Sequence, residues 1–374
     1  MDARRRPPSL EPPSPVARGS RAGAEWLLVI GFLVAIWLPC VQMACHLFPS
    51  VDTLEKRKPV VAPRLSLRAS HRFLGEYGRY FTEDFGLRGN LIRWDTVVRL
   101  KLLHASPVPK LVFGRSGWIF YDSDKVPDGV TMLDFRGLAP FTPGDLVAVR
   151  SSLERQTRWC RERGIACVFI VVPNKETIYP EYLPKSVRRF VPRTRLDQVV
   201  EVIGADSTIM LIDLRGPLLR AKNRCPYPLY SRGGTHWNQL GAFYAYQAVL
   251  ARLSRFFPRL RPHGLDDFDV VVDRNSSDDH WLGLRENVSC RFNLKQGNSR
   301  PQAGDEIGKA VVIYDSSWDV LEPFLSLHIR RVVQEHVDLS RDRSRPLIER
   351  ERPDLVVYEM TERYLGWVLR DRGF

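Results

Sequence analysis

The segment "KAVVIYDSSW", Lys309–Trp318, joins an apolar run of strand length to an aspartate and two serines. A short run of Ala, Val and Ile is typical of a strand that is buried on both faces of a parallel sheet. A serine directly after such a strand lies on a rigid support, near backbone N–H groups that can hold an oxyanion. Ser316 is therefore a candidate nucleophile, with Ser317 as the alternative. A serine at this point also often serves only as a helix cap.

The same pattern recurs along the second half of the chain. "ACVFIVVP", "TIMLIDL", "IRRVVQ" and "PDLVVYEM" are short apolar runs, and the stretches 143–164, 193–203 and 238–257 have helical character. This alternation predicts an α/β fold with a mostly parallel sheet that is covered by helices on both faces. Sites in such folds form at the carboxyl ends of the strands.

Polar side chains lie at this edge of the predicted sheet. Asn174 and Lys175 follow the first strand, and Asp213 closes the second. We predict that Asp315, Asp213 or Asn174 orients the catalytic base or helps to hold the oxyanion. Lys175 is predicted to contact substrate, although a simple turn is the ordinary alternative for Asn174 and Lys175.

The stretch "YSRGGTHWNQLGAFYAYQAVL", Tyr230–Leu250, supplies the candidate base. His236 is predicted to start the helix that follows it, on the same rim as Ser316. A Ser-His arrangement is recognised by geometry and not by order along the chain. A histidine that only makes a structural hydrogen bond is the alternative. Trp237 and Trp318 lie beside the two candidates and are predicted to form sugar-stacking walls.

The N-terminal third predicts a membrane anchor. Residues 1–25 are rich in Pro, Arg and Ser and are predicted to be a disordered cytoplasmic tail. Residues 26–47 carry no formal charge, and their 22 residues suffice to cross a bilayer core of about 20 helical residues. The arginines before this signal-anchor keep that end in the cytoplasm. A stem (48–70) and one large domain (71–374) then lie outside, with a polar excursion over 258–308.

The composition excludes some classes of site. The six cysteines form no C-x-x-C pair, which argues against zinc, and there is no G-x-G-x-x-G or P-loop motif, so no cofactor is predicted. A disulfide between Cys225 and Cys290 is left open. The net charge of +13 fits an anionic partner or simply a solvated basic surface. No motif indicates nucleic-acid binding.

The order of "FTEDFGLRGNLIR", "FGRSGWIFYD", "VVPNKETIYPEYLP", "THWNQLGA", "VVIYDSSW" and "PDLVVYEMTERYLG" resembles the alginate O-acetyltransferase family of AlgX and AlgJ. This resemblance implies a three-layer SGNH-hydrolase-like domain with permuted strand order. It implies acetyl transfer to hydroxyls of a polysaccharide in the periplasm, by a protein with a single span in the inner membrane. A membrane-bound O-acyltransferase would supply the acetyl group. Ser316 matches the nucleophile of the family, and His236 matches its histidine.

The sequence departs from the family at two positions. The aspartate that the family carries two residues before the histidine falls on Gly234, and Tyr314 stands where a glycine is common. Another carboxylate can orient His236, with the candidates Asp213, Asp279 and Asp315. A backbone carbonyl can do so in a dyad. Otherwise the chain is a non-catalytic glycan-binding or scaffold subunit, and a simple carbohydrate esterase is a further alternative.

Overall fold

The structure is a computed structural model, and the parts of the chain that it describes fall into two compact units. The units divide between Val98 and Arg99. The described residues are 19–45, 47–48, 63, 70–101, 106, 108–126, 129–204, 208–276, 287–295, 306–336 and 344–370. Most of the predicted tail and stem therefore lies outside the described residues.

The first unit contains three helices, α1 (Gly19–Cys45), α2 (Ser70–Asp84) and α3 (Arg88–Lys101), of which α3 ends just beyond the division. Within α1, the 19 residues Glu25–Met43 are apolar and long enough to cross a membrane. The helix begins before the predicted span, since Gly19 lies in the predicted tail. Helices α2 and α3 follow the predicted stem and precede the sheet.

The second unit contains the strands and the remaining helices. The strands are β1 (Leu111–Phe113), β2 (Ile119–Tyr121), β3 (Ala166–Val172), β4 (Leu211–Asp213), β5 (Phe268–Ser276), β6 (Asn287–Leu294), β7 (Ile307–Tyr314), β8 (Ile329–His336) and β9 (Leu355–Thr361). The α-helices are α4 (Met132–Phe135), α5 (Pro143–Arg161), α6 (Lys175–Ile178), α7 (Arg195–Ile203), α8 (Arg215–Lys222), α9 (Gln239–Leu253), α10 (Trp318–Leu325) and α11 (Ser344–Glu351). Short 3₁₀ turns lie at Arg115–Gly117, Ser123–Lys125, Pro180–Tyr182 and Leu265–Asp267, and a longer one covers Glu362–Arg370.

A five-stranded parallel sheet forms the centre of this unit, in the order β4-β3-β9-β7-β8. The inner strands β3 and β9 are buried almost throughout, as expected where helices cover both faces, whereas the edge strand β8 exposes Arg330 and Arg331. In β3, Val168 and Ile170 face one core cluster, with Phe243 of α9, and Phe169 and Val171 face the other. The predicted α/β class, the three layers and the parallel sheet are therefore confirmed.

Local signals fix the helices of one layer. Thr142 and Asp145 form a reciprocal capping box at the start of α5, and Pro143 occupies its first turn. The chain leaves α5 through Gly164, whose φ of 70° suits a residue without a Cβ. Thr194 begins α7 with the same type of box. These signals fix the ends of α5 and the start of α7, the helices that precede β3 and β4.

The predicted excursion over 258–308 contains regular structure in its described part. Strands β5 and β6 form an antiparallel pair, and the first residues of β7 also belong to this range. Phe268 and Phe292 pack against Phe243 of α9 and Phe324 of α10. The polar composition of this range gave no indication that two of its phenylalanines pack into the core. After β9, the chain continues into the 3₁₀ segment Glu362–Arg370.

Candidate active site

The loop after β7 is organised around a buried carboxylate. Oδ1 of Asp315 accepts a hydrogen bond from the N–H of Ser317 at 2.8 Å, and Oδ2 accepts one from the N–H of Thr361 at 2.5 Å. Thr361 is the last residue of β9, the neighbouring strand. Asp315 therefore ties the serine loop to the sheet. It is engaged on both oxygens, so its predicted role as the orienting group of the base is corrected.

The two serines of this loop have different environments. The hydroxyl of Ser317 is buried and shares a hydrogen bond with Oγ1 of Thr361 at 2.8 Å. Its carbonyl accepts a hydrogen bond from Nε1 of Trp237. Ser316 is only half-buried, so a substrate can reach its hydroxyl. The geometry favours Ser316 over Ser317 as the nucleophile.

His236 reaches Ser316 from a loop that precedes α9. Nε2 of His236 lies 2.9 Å from Oγ of Ser316, across 80 positions of sequence. The helix begins only at Gln239, capped by the Asn238 side chain, so the prediction that His236 starts the helix is wrong. Instead, the carbonyl of His236 accepts a hydrogen bond from the N–H of Ser231, which closes the loop. A half-buried imidazole beside a half-buried hydroxyl is the geometry of a general base and its nucleophile.

Lys175 anchors the loop of residues 231–238 that carries His236, here called the histidine loop. Its side chain is 3% exposed, and Nζ donates to the carbonyls of Ser231, Arg232 and Gly234, at 2.5, 2.9 and 2.9 Å. It also contacts the carbonyl of Ile119 in β2 at 2.7 Å. The predicted substrate contact is therefore corrected. A buried ammonium needs acceptors, and the backbone of this loop supplies them.

Asp213 was also predicted to orient His236, and this prediction is corrected. Asp213 forms an ion pair with Arg215 at 2.7 Å and accepts the backbone N–H of the same arginine. Asp279 lies outside the described residues. On the other side of the ring, Oγ1 of Thr235 is 3.5 Å from Nδ1 of His236, which is long for a hydrogen bond. Gly234 contributes only its backbone.

Asn174 lies at the end of β3, on the same edge of the sheet. Its backbone N–H donates to Oε2 of Glu362 at 3.0 Å. Its side chain does not cap α6 and makes no hydrogen bond within the described part of the chain. The backbone N–H of Ser316 is likewise without a partner among the described residues. These two donors are the ones that the rim leaves available for an oxyanion.

The two tryptophans predicted as sugar-stacking walls are core residues. Trp237 is buried, and its indole N–H is engaged by the carbonyl of Ser317. Trp318 is fully buried in the first turn of α10. Their side chains pack beneath the serine and histidine loops and do not face a ligand. Both predicted contacts are therefore corrected.

The end of β9 contributes residues that the sequence reading missed. Glu359 is buried, and its Oε2 accepts the N–H of Asp315 at 3.1 Å. Burial, together with the charge of Asp315, raises the pKa of Glu359 well above its usual value. Glu362 is also buried and accepts from Thr177 Oγ1 at 2.7 Å, and burial raises its pKa too. The sequence signal that could have identified these residues is the pair of acids in "VVYEMTE", at the end of an apolar strand and just after it.

Metal and disulfide chemistry have no support in the described residues. No group of three or more His, Cys, Asp or Glu side chains is placed there to hold a metal ion. All six cysteines are free thiols, including Cys225 and Cys290. Cys225 instead lies 3.1 Å from the hydroxyl of Tyr244.

Comparison with known proteins finds a related family. A family model described as "SGNH hydrolase-like domain, acetyltransferase AlgX" matches residues 111–269, a range that contains His236 and ends before Ser316. This range, less than half of the chain, is therefore similar to the AlgX family.

Two curated relatives match part of this chain. "Probable alginate O-acetylase AlgJ" of Pseudomonas putida is 30% identical over 151 residues, which cover 39% of this chain and 34% of the relative. The protein of the same name from Pseudomonas aeruginosa is 28% identical over 191 residues, which cover 48% and 41% of the two chains. The matches thus span less than half the length of these relatives.

Solved structures are similar to this chain at lower identity. The O-acetyltransferase domain of Pseudomonas putida AlgJ has 21% identity and a TM-score of 0.47, covering 69% of this chain and 93% of that chain. Bacillus cereus PatB1 with a sulfonyl adduct has 13% identity and a TM-score of 0.49, covering 70% and 99%.

Proposed function

We propose that this chain is a membrane-anchored O-acetyltransferase that acts on a polysaccharide outside the cytoplasm. The observation that carries the proposal is the 2.9 Å separation between Nε2 of His236 and Oγ of Ser316, on the rim of an AlgX/AlgJ-like domain. The names of the curated relatives support acetyl transfer to a polysaccharide such as alginate.

In the first half-reaction, Ser316 is acetylated. Nε2 of His236 takes the hydroxyl proton while Oγ attacks the carbonyl carbon of the acetyl donor. The N–H of Ser316 and the side-chain amide of Asn174 donate to the oxyanion that develops. The tetrahedral intermediate then loses the donor's leaving group, which receives the proton from His236.

In the second half-reaction, a sugar hydroxyl enters the site. His236 removes its proton, and the sugar oxygen attacks the acetyl carbon on Ser316. Oγ of Ser316 leaves and recovers the proton from His236, so the acetyl ester now lies on the sugar. Water in place of the sugar would make the same site an esterase, because both reactions share the acetyl-enzyme.

The sequence departs from the family at the residue that orients the imidazole, since Gly234 stands where the family carries a carboxylate. Asp279, a candidate for that role, lies outside the described residues. We propose that Lys175 helps to position His236, since its contacts with three loop carbonyls fix the backbone that carries the imidazole.

The membrane assignment follows from α1. We propose that Glu25–Met43 spans the inner membrane once, with the arginine-rich start in the cytoplasm and the AlgX/AlgJ-like domain in the periplasm. A site on that side of the membrane needs an acetyl donor there, and a membrane-bound O-acyltransferase is the proposed source. No cofactor enters the proposed reaction.

Turnover of an aryl acetate by the purified full chain tests the mechanism. We expect Ser316→Ala and His236→Ala each to lower the rate of phenol release by at least about 10³-fold, as removal of a nucleophile or base does in serine enzymes. Adding an acetylatable oligosaccharide should divert acetyl from water to the sugar. Parent-like rates in both variants would refute the mechanism, and an inactive parent that still binds oligosaccharide would favour the scaffold role.

A further inference from the structure

Helix α3 carries an exposed apolar stripe. Leu91, Trp94, Val97 and Val98 recur three or four positions apart, so they lie on one side of the helix. Each of the four side chains is between 40% and 48% exposed. A tryptophan within such a stripe is the residue type that favours the boundary between lipid and water.

The turn that leads into α3 packs directly on the end of α1. A Cβ added to Gly86 would lie 2.7 Å from Cγ of Met43 and 3.0 Å from the carbonyl oxygen of Pro39. Only a glycine permits the two backbones to approach so closely. Met43 is the last residue of the segment that can cross a membrane. The start of α3 is therefore held at the level where that segment ends.

A second contact holds the stripe itself near this level. Phe48 turns back onto Gln42, whose side-chain amide donates to the Phe48 carbonyl and accepts from its N–H, each at 2.8 Å. The ring of Phe48 meets the ring of Trp94 edge to face, with centroids 6.1 Å apart. Trp94 therefore lies beside the last turns of α1 and is not carried away from the membrane.

The charges of α3 favour an anionic surface. The helix carries four basic residues, Arg88, Arg93, Arg99 and Lys101, against one acidic residue, Asp95. Attraction to anionic lipids therefore adds to the apolar burial of the stripe.

We propose that α3 lies in the lipid–water interface at the outer end of α1, with Leu91, Trp94, Val97 and Val98 inserted among phospholipid chains. This inference rests on the membrane-anchored part of the proposed function. The partner is the phospholipid surface of the bilayer.

Site-specific photocrosslinking of the full chain tests this placement. A benzophenone amino acid is introduced at Leu91 or Trp94 on the stripe, at the exposed Arg99 on another side of the same helix, or at Val34 within α1. Each variant is irradiated in native membranes and in nanodiscs of phosphatidylcholine alone, and adducts are identified by mass spectrometry.

We expect lipid adducts from Leu91, Trp94 and Val34 in both preparations, and several-fold fewer from Arg99. Protein adducts at Leu91 and Trp94 in native membranes, in place of lipid, would overturn the proposal in favour of a protein partner. Equal lipid yields from Trp94 and Arg99, or no lipid adduct on the stripe, would also overturn it. Lipid adducts at Val34 show that the anchor holds independently, whereas their absence there would refute the anchor itself.

Discussion

The serine loop and the histidine loop meet in the candidate site, but they are held by opposite charges. Asp315 accepts two backbone N–H groups beside Ser316, whereas Lys175 donates to three backbone carbonyls around Gly234. The carboxylate engages the N–H of Ser317 and leaves that of Ser316 available for an oxyanion. The ammonium fixes the backbone before His236, where the side chain of a triad aspartate is missing. Main-chain anchoring is thus the way in which both loops are set.

The largest effect is expected where the histidine loop loses its cation. In Lys175→Met the loop carbonyls lose a charged donor, and the fold should lose about 3 kcal/mol or more. The kcat for aryl acetate should fall together with the stability. Denaturant unfolding and steady-state kinetics measure the two effects.

Lys222→Met is the matched control, because Lys222 also donates to a backbone carbonyl, that of Ile178, but away from the histidine loop. It should leave kcat close to that of the parent. If Lys175→Met kept the kcat and the stability of the parent, Lys175 would have no positioning role.

The serine loop is tested by Asp315→Asn. The amide retains one acceptor but turns an NH₂ group toward the second backbone N–H, so the loop should loosen. We expect a loss of about 1–3 kcal/mol in the free energy of unfolding and a lower kcat. The exposed neighbour Asp319→Asn is the control and should change both quantities much less than Asp315→Asn does. Equal behaviour of the two variants would show that Asp315 does not hold the loop.

Glu359, beneath the serine loop, makes the stability of the fold depend on pH. Its raised pKa reflects burial first and then Asp315, with Arg363 opposing and Asp319 adding. The folded protein therefore keeps a proton that the unfolded chain releases above about pH 4. The neutral acid stabilises the fold fully below that pH, and this contribution is lost as the pH rises toward the folded pKa.

Glu359→Gln cannot titrate, and it retains an acceptor for the N–H of Asp315. Its stability relative to the parent should therefore increase between about pH 5 and pH 8 and should be unchanged near pH 4. Thermal unfolding of both proteins across this range measures the difference. A difference that does not vary with pH would mean that Glu359 is not held neutral.

The smallest effect on activity is expected for Ser317→Ala. This change removes one buried hydrogen bond, to Thr361, worth about 1 kcal/mol. The hydroxyl of Ser316 remains beside His236, so kcat should stay within about tenfold of the parent. A loss as large as that of Ser316→Ala would instead identify Ser317 as the nucleophile.

The parallel sheet, and the edge at which its strands end, could be predicted because buried parallel strands leave long apolar runs in the sequence. The same runs pointed to Ser316, and the helical period after residue 238 placed His236 near the rim. Whether a side chain beside a site points outward is not readable in this way. Lys175, Trp237 and Trp318 were assigned to substrate for this reason, although the structure buries all three.

The orienting groups illustrate the same limit at the level of single contacts. Asp213 precedes Arg215 by two residues in "IDLRG", and this local ion pair was a signal against a role toward His236. Nothing local in the sequence indicates that Asp315 bonds the N–H of Thr361, 46 positions away. That contact depends on β9 lying between β3 and β7, an order that the strand pattern does not specify.

Mass spectrometry of the acetyl-enzyme tests the central claim most directly. The full chain is mixed with an aryl acetate, quenched in acid during turnover and digested. The peptide that contains Ser316 should carry one acetyl group on that residue, and this label should be absent from Ser316→Ala and greatly reduced in His236→Ala. Turnover that proceeds with no acetyl group on Ser316, and equally fast in Ser316→Ala, would contradict the account.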